Sequence, residues 1–341
     1  MLLAGHDLEK SGIMRFDSGY YVLRQTMPYP LGETNVFLIE SGDGWVVIDV
    51  GIDLETTRQV WRQALQEVGI SFKQIRRIYI THCHPDHLGA ARWLQQCSEA
   101  PVYMLREEIT RANKYVFLAE KDFKELYRQA ISAQVKQNRF PDFLVEQLIE
   151  DWYTEVRPLY AEPTAISPLA AGDTVELGGT PFKVIPTPGH ADGQFALWSD
   201  KRRHLFLADV LSAEAYLHFT DWPNSDLSDP LGNLFAVLEQ MQVLGAIRTY
   251  PGHGPIIEDI QKPIEKIRYR HQRILDKLES AVRGPVVAGE IYSSMAPDND
   301  YVHYHRVVMG EILGYLEYLV SRQRLAKAYE GDTALYLPAK G

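Results

Sequence analysis

The chain of 341 residues contains two cysteines, Cys83 and Cys97. Two thiols cannot build a disulfide scaffold, and nothing in their placement indicates an oxidising compartment. Long apolar runs are missing too: no stretch approaches the ~18 consecutive apolar residues that a membrane-spanning helix requires. The opening segment, MLLAGHDLEKSGIMRF, carries Asp, Glu and Lys early and has no apolar run of signal-peptide length. A cytoplasmic location is therefore expected. Positive charge is also short, with 35 Lys and Arg against 45 Asp and Glu, a net charge of −10. Such a surface repels phosphate backbones and anionic lipid, which argues against broad nucleic-acid or membrane binding. No convincing serine or cysteine nucleophile elbow is visible, nor a flavin-binding segment, an internal repeat or a low-complexity tract.

The length predicts one large catalytic domain, residues 1–260, followed by a smaller unit, residues 261–341. β-branched and aromatic residues mark strands at 20–26, 34–40 and 45–50, the last two joined by a turn at Gly42-Asp43-Gly44. A helix is expected from about Leu54 to Val68, ended by Gly69. A buried strand follows at 75–81, then a helix at 87–96 and a strand at 101–105. Residues 106–160 read as a helical insertion rich in Glu, Lys, Gln, Ala and Leu, with aromatics such as Tyr115, Phe123, Tyr127 and Trp152. These rings serve either the insertion's own core or a lid over an apolar acyl pocket. Further strands are expected at 174–177, 182–187, 194–199 and 203–208, with a helix at about 230–244. From about Gln261 long helices dominate, and RLAKAYEGDTALYLP at the end reads as two short strands.

The segment that carries chemistry is Thr81-His82-Cys83-His84-Pro85-Asp86-His87-Leu88-Gly89. His82 and His84 are two apart in an extended stretch and project to one side. Pro85 suits the first turn of a helix, where its missing N–H costs nothing. Asp86 and His87 then lie about 100° apart on that turn, directed away from the first pair. One metal cannot take all four groups, whereas two neighbouring metals can, and such pairs suit hydrolysis. The donor set matches the preference of zinc, with iron or manganese as alternatives. The remaining ligands are sought at the ends of later strands, where His190 in PTPGHADG, Asp209 after RHLFLA and His253 in YPGHG are found. Cys83 should face away from its two histidine neighbours, as a small buried hydrophobe rather than a ligand. His6, His204, His218, His271, His303 and His305 are read as structural or surface histidines. For Asp49 an N-cap or turn role competes with one at the site.

Asp49, the H-x-H-x-D-H cluster, His190, Asp209 and His253, in this order, resemble the metallo-β-lactamase superfamily, in particular its glyoxalase II-like hydrolases, over roughly residues 20–260. The resemblance implies an α+β fold, a four-layer αββα sandwich with the site at one edge. It implies one metal on His82, His84 and His190, a second on Asp86, His87 and His253, and Asp209 bridging them, with Asp49 orienting ligands. Asp86, Asp209 and His253 are then the candidate catalytic residues, and a metal-bridging hydroxide attacks an ester-like carbonyl or a phosphorus. Where many glyoxalase II-like members have glycine before the bridging aspartate, this chain has Ala208, and the family's glutathione-binding basic residues find no counterpart.

Residues 261–341 resemble a small winged-helix module, and the combination is similar to the β-lactamase-like protein 2 family, which has been linked to cleavage of single-stranded RNA, with relatives linked to thioesterase activity. This segment holds 12 Lys and Arg against 10 Asp and Glu. Arg268, Arg270 and Arg273 form its basic cluster, which is thin for a nucleic-acid footprint. The module is expected to pack on the core or to build a homodimer interface. The favoured function is metal-dependent hydrolysis of a small thioester or related carboxylic ester. The alternative is a phosphodiesterase or endoribonuclease using the same metals, and a non-enzymatic metal-binding or redox protein is the third class.

Overall fold

Strands β2 (Tyr20–Thr26), β3 (Glu33–Ser41) and β4 (Gly44–Ile48) bury both of their faces, and that double burial organises the molecule. In the computed structural model, which describes residues 12–17, 19–27, 32–214, 217–220, 222–223, 225–295 and 302–339, side chains alternate between two cores. On one face Leu23, Val36, Leu38, Trp45 and Val47 meet helices; on the other Val22, Phe37, Ile39, Val46 and Ile48 meet a second sheet. A period of two with apolar residues on both faces gives nearly continuous hydrophobic runs, as the sequence shows here.

The first sheet has the order β1-β2-β3-β4-β5-β6-β7, with β1 (Ile13–Asp17), β5 (Ile75–Tyr79), β6 (Val102–Leu105) and β7 (Ile166–Leu169). It is antiparallel from β1 to β4 and parallel from β4 to β7. The second sheet runs β12-β11-β10-β9-β8, from β8 (Thr174–Leu177), β9 (Thr180–Pro186), β10 (Phe195–Ser199), β11 (His204–Ala208) and β12 (Arg248–Pro251). Phe182, Phe195, Leu197 and Phe206 interleave with the first sheet, while Ala196, Trp198, Leu205 and Leu207 face helices on the far side. Helix, sheet, sheet, helix is thus the expected four-layer sandwich.

Outside the first sheet lie α1 (Glu55–Val68) and α3 (Ala91–Ser98). Trp61 of α1 is fully buried and its indole N–H donates to the Val50 carbonyl at 3.0 Å. Gly69 ends α1 at φ 81, a left-handed conformation in which its N–H reaches the carbonyls of Leu65 and Gln66. The helix expected over 87–96 is divided, with α2 (Pro85–Leu88) separate from α3, because the chain turns at Gly89 and Ala90. Strands β1 and β7 were not read as strands in the sequence; each is short and lies at an edge of its sheet, where little but its partner specifies it.

Residues 106–160 form α4 (Arg106–Arg111), α5 (Glu120–Asn138) and α6 (Phe143–Asp151), with single π turns at 112–116 and 152–156. After β12 come α8 (Gln261–Ala281), α9 (Ala288–Met295), α10 (Val302–Ser321) and the hairpin β13 (Leu325–Glu330) and β14 (Thr333–Pro338). The short α9 was not anticipated. Tyr127 and Leu148 of the insertion, Leu238 of α7 (Pro230–Leu244), Leu275 of α8 and Leu316 of α10 share one hydrophobic core. His271 lies inside it, hydrogen-bonded to the Tyr315 hydroxyl at 2.7 Å, and His204 bonds the Tyr250 hydroxyl, both structural as expected. His6 lies outside the described residues. No helix among the described residues is long and apolar enough to cross a membrane.

Candidate metal centre

The carboxyl ends of β4, β5, β9, β11 and β12 converge on one rim of the sandwich, and each delivers a polar side chain there. Strand ends are suited to this, because the sheet fixes the backbone and the following loop is free to turn the side chain inward. After β5, His82 and His84 project to the same side. His82 Nε2 lies 3.1 Å from His84 Nδ1, and His190 Nε2, from the loop after β9, lies 2.9 Å from the same atom. These three nitrogens form one group, all within 4.8 Å of one another.

Asp86, His87, Asp209 and His253 form the second group, with one donor atom from each within the same 4.8 Å limit. His253 Nε2 is 3.2 Å from Asp86 Oδ2 and 3.1 Å from Asp209 Oδ2. His87 Nε2 is 3.2 Å from Asp86 Oδ2 and 3.5 Å from Asp209 Oδ2. Asp209 Oδ2 also lies 3.5 Å from His190 Nε2, so this one carboxylate touches both groups. All seven residues singled out in the sequence meet here.

The second ring nitrogens of His87, His190 and His253 are tied down, which fixes where their donors point. His87 Nδ1 meets Asp49 Oδ2 at 2.9 Å, His190 Nδ1 meets the His218 carbonyl at 2.7 Å, and His253 Nδ1 meets the Glu33 carbonyl at 2.9 Å. Asp49 also accepts from the Thr81 N–H at 2.8 Å and the Thr81 hydroxyl at 2.9 Å. It thus locks the strand end that leads into His82 and, at the same time, the ring of His87. Its backbone is left-handed at φ 60, a conformation uncommon for non-glycine residues and tolerated better by aspartate than by most.

Electrostatics divide the two groups. Burial pushes the imidazole of His84 down to about 4 and that of His190 down to about 3, with Arg111 adding to the first and His84 to the second. Burial alone would raise Asp86 and Asp209, yet the imidazoles of His87 and His253 hold both carboxyls well below the usual range. Burial opposes protonation of His253, but Asp209 and Asp86 outweigh it and lift the ring to about 10.

This donor set fits divalent metal ions. Oδ1 of Asp209 is buried with no hydrogen-bond partner among the described residues, a costly state that a cation relieves. The space is also reserved: a Cβ on Gly252 would lie 2.0 Å from that oxygen and 3.0 Å from His87 Cε1.

Several supporting residues carried no sequence signal. Glu108 of α4 is fully buried and accepts from the N–H of Cys83 and the N–H of Gly193, both at 2.8 Å, which ties the loops that hold His84 and His190 to each other. Arg111 offsets its charge at 3.5 Å. Thr34 donates to Asp86 Oδ2 at 2.8 Å, and Gln194 accepts from the Asp209 N–H at 3.3 Å. Cys83 is buried in the helix–sheet core and belongs to neither ligand group. His218 and His303, read as structural or surface, line the cavity instead, and the ring of His218 stands 4.5 Å from that of His190. Neither lies in a motif, so only tertiary packing brings them here.

A cavity of about 340 Å³ opens over the two groups. Its floor includes His84, Asp86, His190, Asp209 and His253; its walls include Tyr115, Val116, Leu148, Trp152 and Val156 from the insertion and Val307 from α10. The aromatics of the insertion pack on one another and also line the cavity. Phe123 stacks on Tyr127 and Trp152 with centroids 4.8 and 4.0 Å apart, and Trp152 also faces the cavity.

Comparison with known proteins agrees with this geometry. The model of the metallo-beta-lactamase superfamily matches residues 29–253. A probable metallo-hydrolase, YqjP of Bacillus subtilis, is 23% identical over 93% of this chain and 97% of its own length. A beta-lactamase-like protein 2 homolog of Caenorhabditis elegans is 26% identical over 72% of this chain and 64% of its own. The atrochrysone carboxyl ACP thioesterase dmxR1 of a Cryptosporiopsis species is 20% identical over 80% of the chain and 69% of its own. Among solved structures, the metallo-beta-lactamase family protein TTHA1429 of Thermus thermophilus aligns with a TM-score of 0.78 and 26% identity, covering 94% of this chain and 99% of that one.

Proposed function

From its membership of the metallo-β-lactamase superfamily, to which this chain belongs, we propose that it is a dinuclear metal-dependent hydrolase of thioesters or related carboxylic esters. In this reading His82, His84 and His190 hold one ion, Asp86, His87 and His253 a second, and Asp209 joins them, with zinc the expected metal and iron or manganese as alternatives. The observation that carries the reading is the position of Asp209 Oδ2, 3.1 Å from His253 Nε2 and 3.5 Å from His190 Nε2, beneath one cavity. When bound, such ions supply an acidified water at neutral pH and stabilise the oxyanion that develops at the carbonyl.

The chain's own residues do the rest. Asp49 holds the tautomer of His87, and Glu108 fixes the spacing of the two ligand loops. The walls of Leu148, Trp152 and Val156 exclude water from an acyl chain lying across the floor. A thioester substrate draws support from those walls and from the thioesterase named among the relatives. A cytoplasmic location and a distinct winged-helix-like unit at residues 261–341 belong to the same proposal.

One observation favours the phosphodiester alternative. Lys262, Lys266, Arg270, Arg273 and Lys277 are exposed along α8 and fall within about 80° of one another at 100° per residue, and Arg270 reaches the cavity. The test is hydrolysis of acyl thioesters and of a fluorescent RNA oligonucleotide, each with and without chelator. Thioester cleavage abolished by chelator and by His84→Ala is the expected result. RNA cleavage lost in the same variant, with thioesters untouched throughout, selects the alternative.

A further inference from the structure

Three arginines line the cavity from different parts of the chain, Arg270 from the exposed face of α8, Arg111 from α4 and Arg306 from α10. They are not equivalent. Arg111 has the Glu108 carboxylate at 3.5 Å, and although burial opposes its charge, Cys83 and Glu108 outweigh that and hold the guanidinium above its usual value. Burial pulls Arg306 below its usual value, and its neighbours do not make up the loss. Asp151, whose own burial, reinforced by Glu155, pushes it up to about 6, is among the groups that act on it. Outside the two ligand groups, Asp151 and Glu311 are the carboxylates that line the cavity.

Arg306 is also held in position. Its Nη1 donates to the Trp222 carbonyl at 2.8 Å, which anchors one edge of the planar fork. Val307 and Val308 flank it on the same wall, and Leu148, Trp152 and Val156 stand beyond. A positioned guanidinium among polar groups, beside apolar side chains and sharing a cavity with the two ligand groups, is an arrangement that can select a planar anion.

We propose that Arg306 receives a carboxylate which the substrate carries at the end remote from the scissile bond, so that the preferred substrates are mono-thioesters of dicarboxylic acids. This rests on the hydrolase reading above for the scissile end alone. The acyl chain spans the apolar walls, the reacting carbonyl lies on the ligand groups, and the second carboxylate meets Arg306. The C-terminal helix α10 then sets the specificity of a reaction carried out by strand ends.

The test is calorimetric titration of the metal-loaded full chain with monoamides of the dicarboxylic acids from malonic to adipic, each beside the neutral amide of equal length. At least one monoamide binds about 10- to 100-fold tighter than its neutral counterpart, the range a charge-assisted hydrogen-bonded pair supplies. Arg306→Met brings the ratio to within about twofold, and Arg306→Lys gives an intermediate ratio because an ammonium keeps the charge but not the fork. Urea midpoints establish that both variants fold; should Arg306→Met fail, the wild type and Arg306→Lys still decide the matter. The absence of any preference in the wild type, or a preference that survives Arg306→Met because the ligand groups hold the carboxylate, overturns the proposal. In parallel, kcat/KM for each carboxylated acyl thioester is compared with that for its neutral partner. If no thioester is cleaved while the binding preference holds and falls in Arg306→Met, the hydrolase reading fails and the anion site stands.

Discussion

The floor and the roof of the cavity are built on different principles. The floor draws His84, His190, Asp209 and His253 from strand ends, and the imidazoles of His253 and His190 are fixed by nearby backbone, the carbonyls of Glu33 and His218. The roof draws Arg111, Asp151, Trp152, His303 and Arg306 from helices of the insertion and of the C-terminal segment, which share one hydrophobic core. A floor pinned by a sheet holds donor atoms to a fraction of an ångström and suits chemistry. A roof of packed helices accommodates substitutions more readily and suits selection among substrates.

The largest effect that separates the two is expected at the carboxylate common to both ligand groups. Asp209→Asn lowers thioesterase activity on the order of 1,000-fold and reduces bound metal, read by steady-state assay and elemental analysis. A variant that keeps full metal content and activity would remove Asp209 from the floor. Glu108→Gln tests the strut between floor and roof. It removes the Glu108 charge from buried Arg111, on which Asp192 also acts, and a loss of about 3 kcal/mol in the urea unfolding free energy is expected, with metal affinity lowered about 10-fold.

The roof has its own pH signature. His271, buried in the shared core, is pulled down to about 4 by burial and by Arg270. An unfolded chain with an ordinary histidine binds the proton first, so this stability is complete above about pH 6.5 and is lost as pH falls towards 4. His271→Gln should flatten that decline by on the order of 3 kcal/mol in urea titrations at the two pH values. An unchanged slope would assign the decline to other buried imidazoles. The smallest effect is expected at Ala208, left-handed at φ 49 immediately before Asp209. Ala208→Gly relieves that strain and raises the unfolding free energy by about 1 kcal/mol, seen as a small rise in the urea midpoint.

Ala208 also shows how sequence and structure inform each other. The sequence marked it as a departure from glycine, and the positive φ supplies the reason glycine suits the position. The seven residues of the two ligand groups were legible because their chemistry is local: a strand, a histidine two residues from the next, a proline opening a helical turn. The strands of the sandwich were legible because burial on both faces leaves continuous apolar runs. Strand β7 and the roles of Thr34, Glu108, His218 and Arg306 were not, since each depends on a partner far along the chain and none has a residue pattern of its own.

The sequence by itself determined which donors exist, their order and the strand ends that carry them, because period, turn chemistry and ligand type are properties of short segments. Only the tertiary structure decided that one carboxylate touches both groups, that a glutamate from the insertion spaces two ligand loops, and that an arginine from the last long helix faces the same cavity. Those facts arise from packing between segments that sequence proximity does not connect.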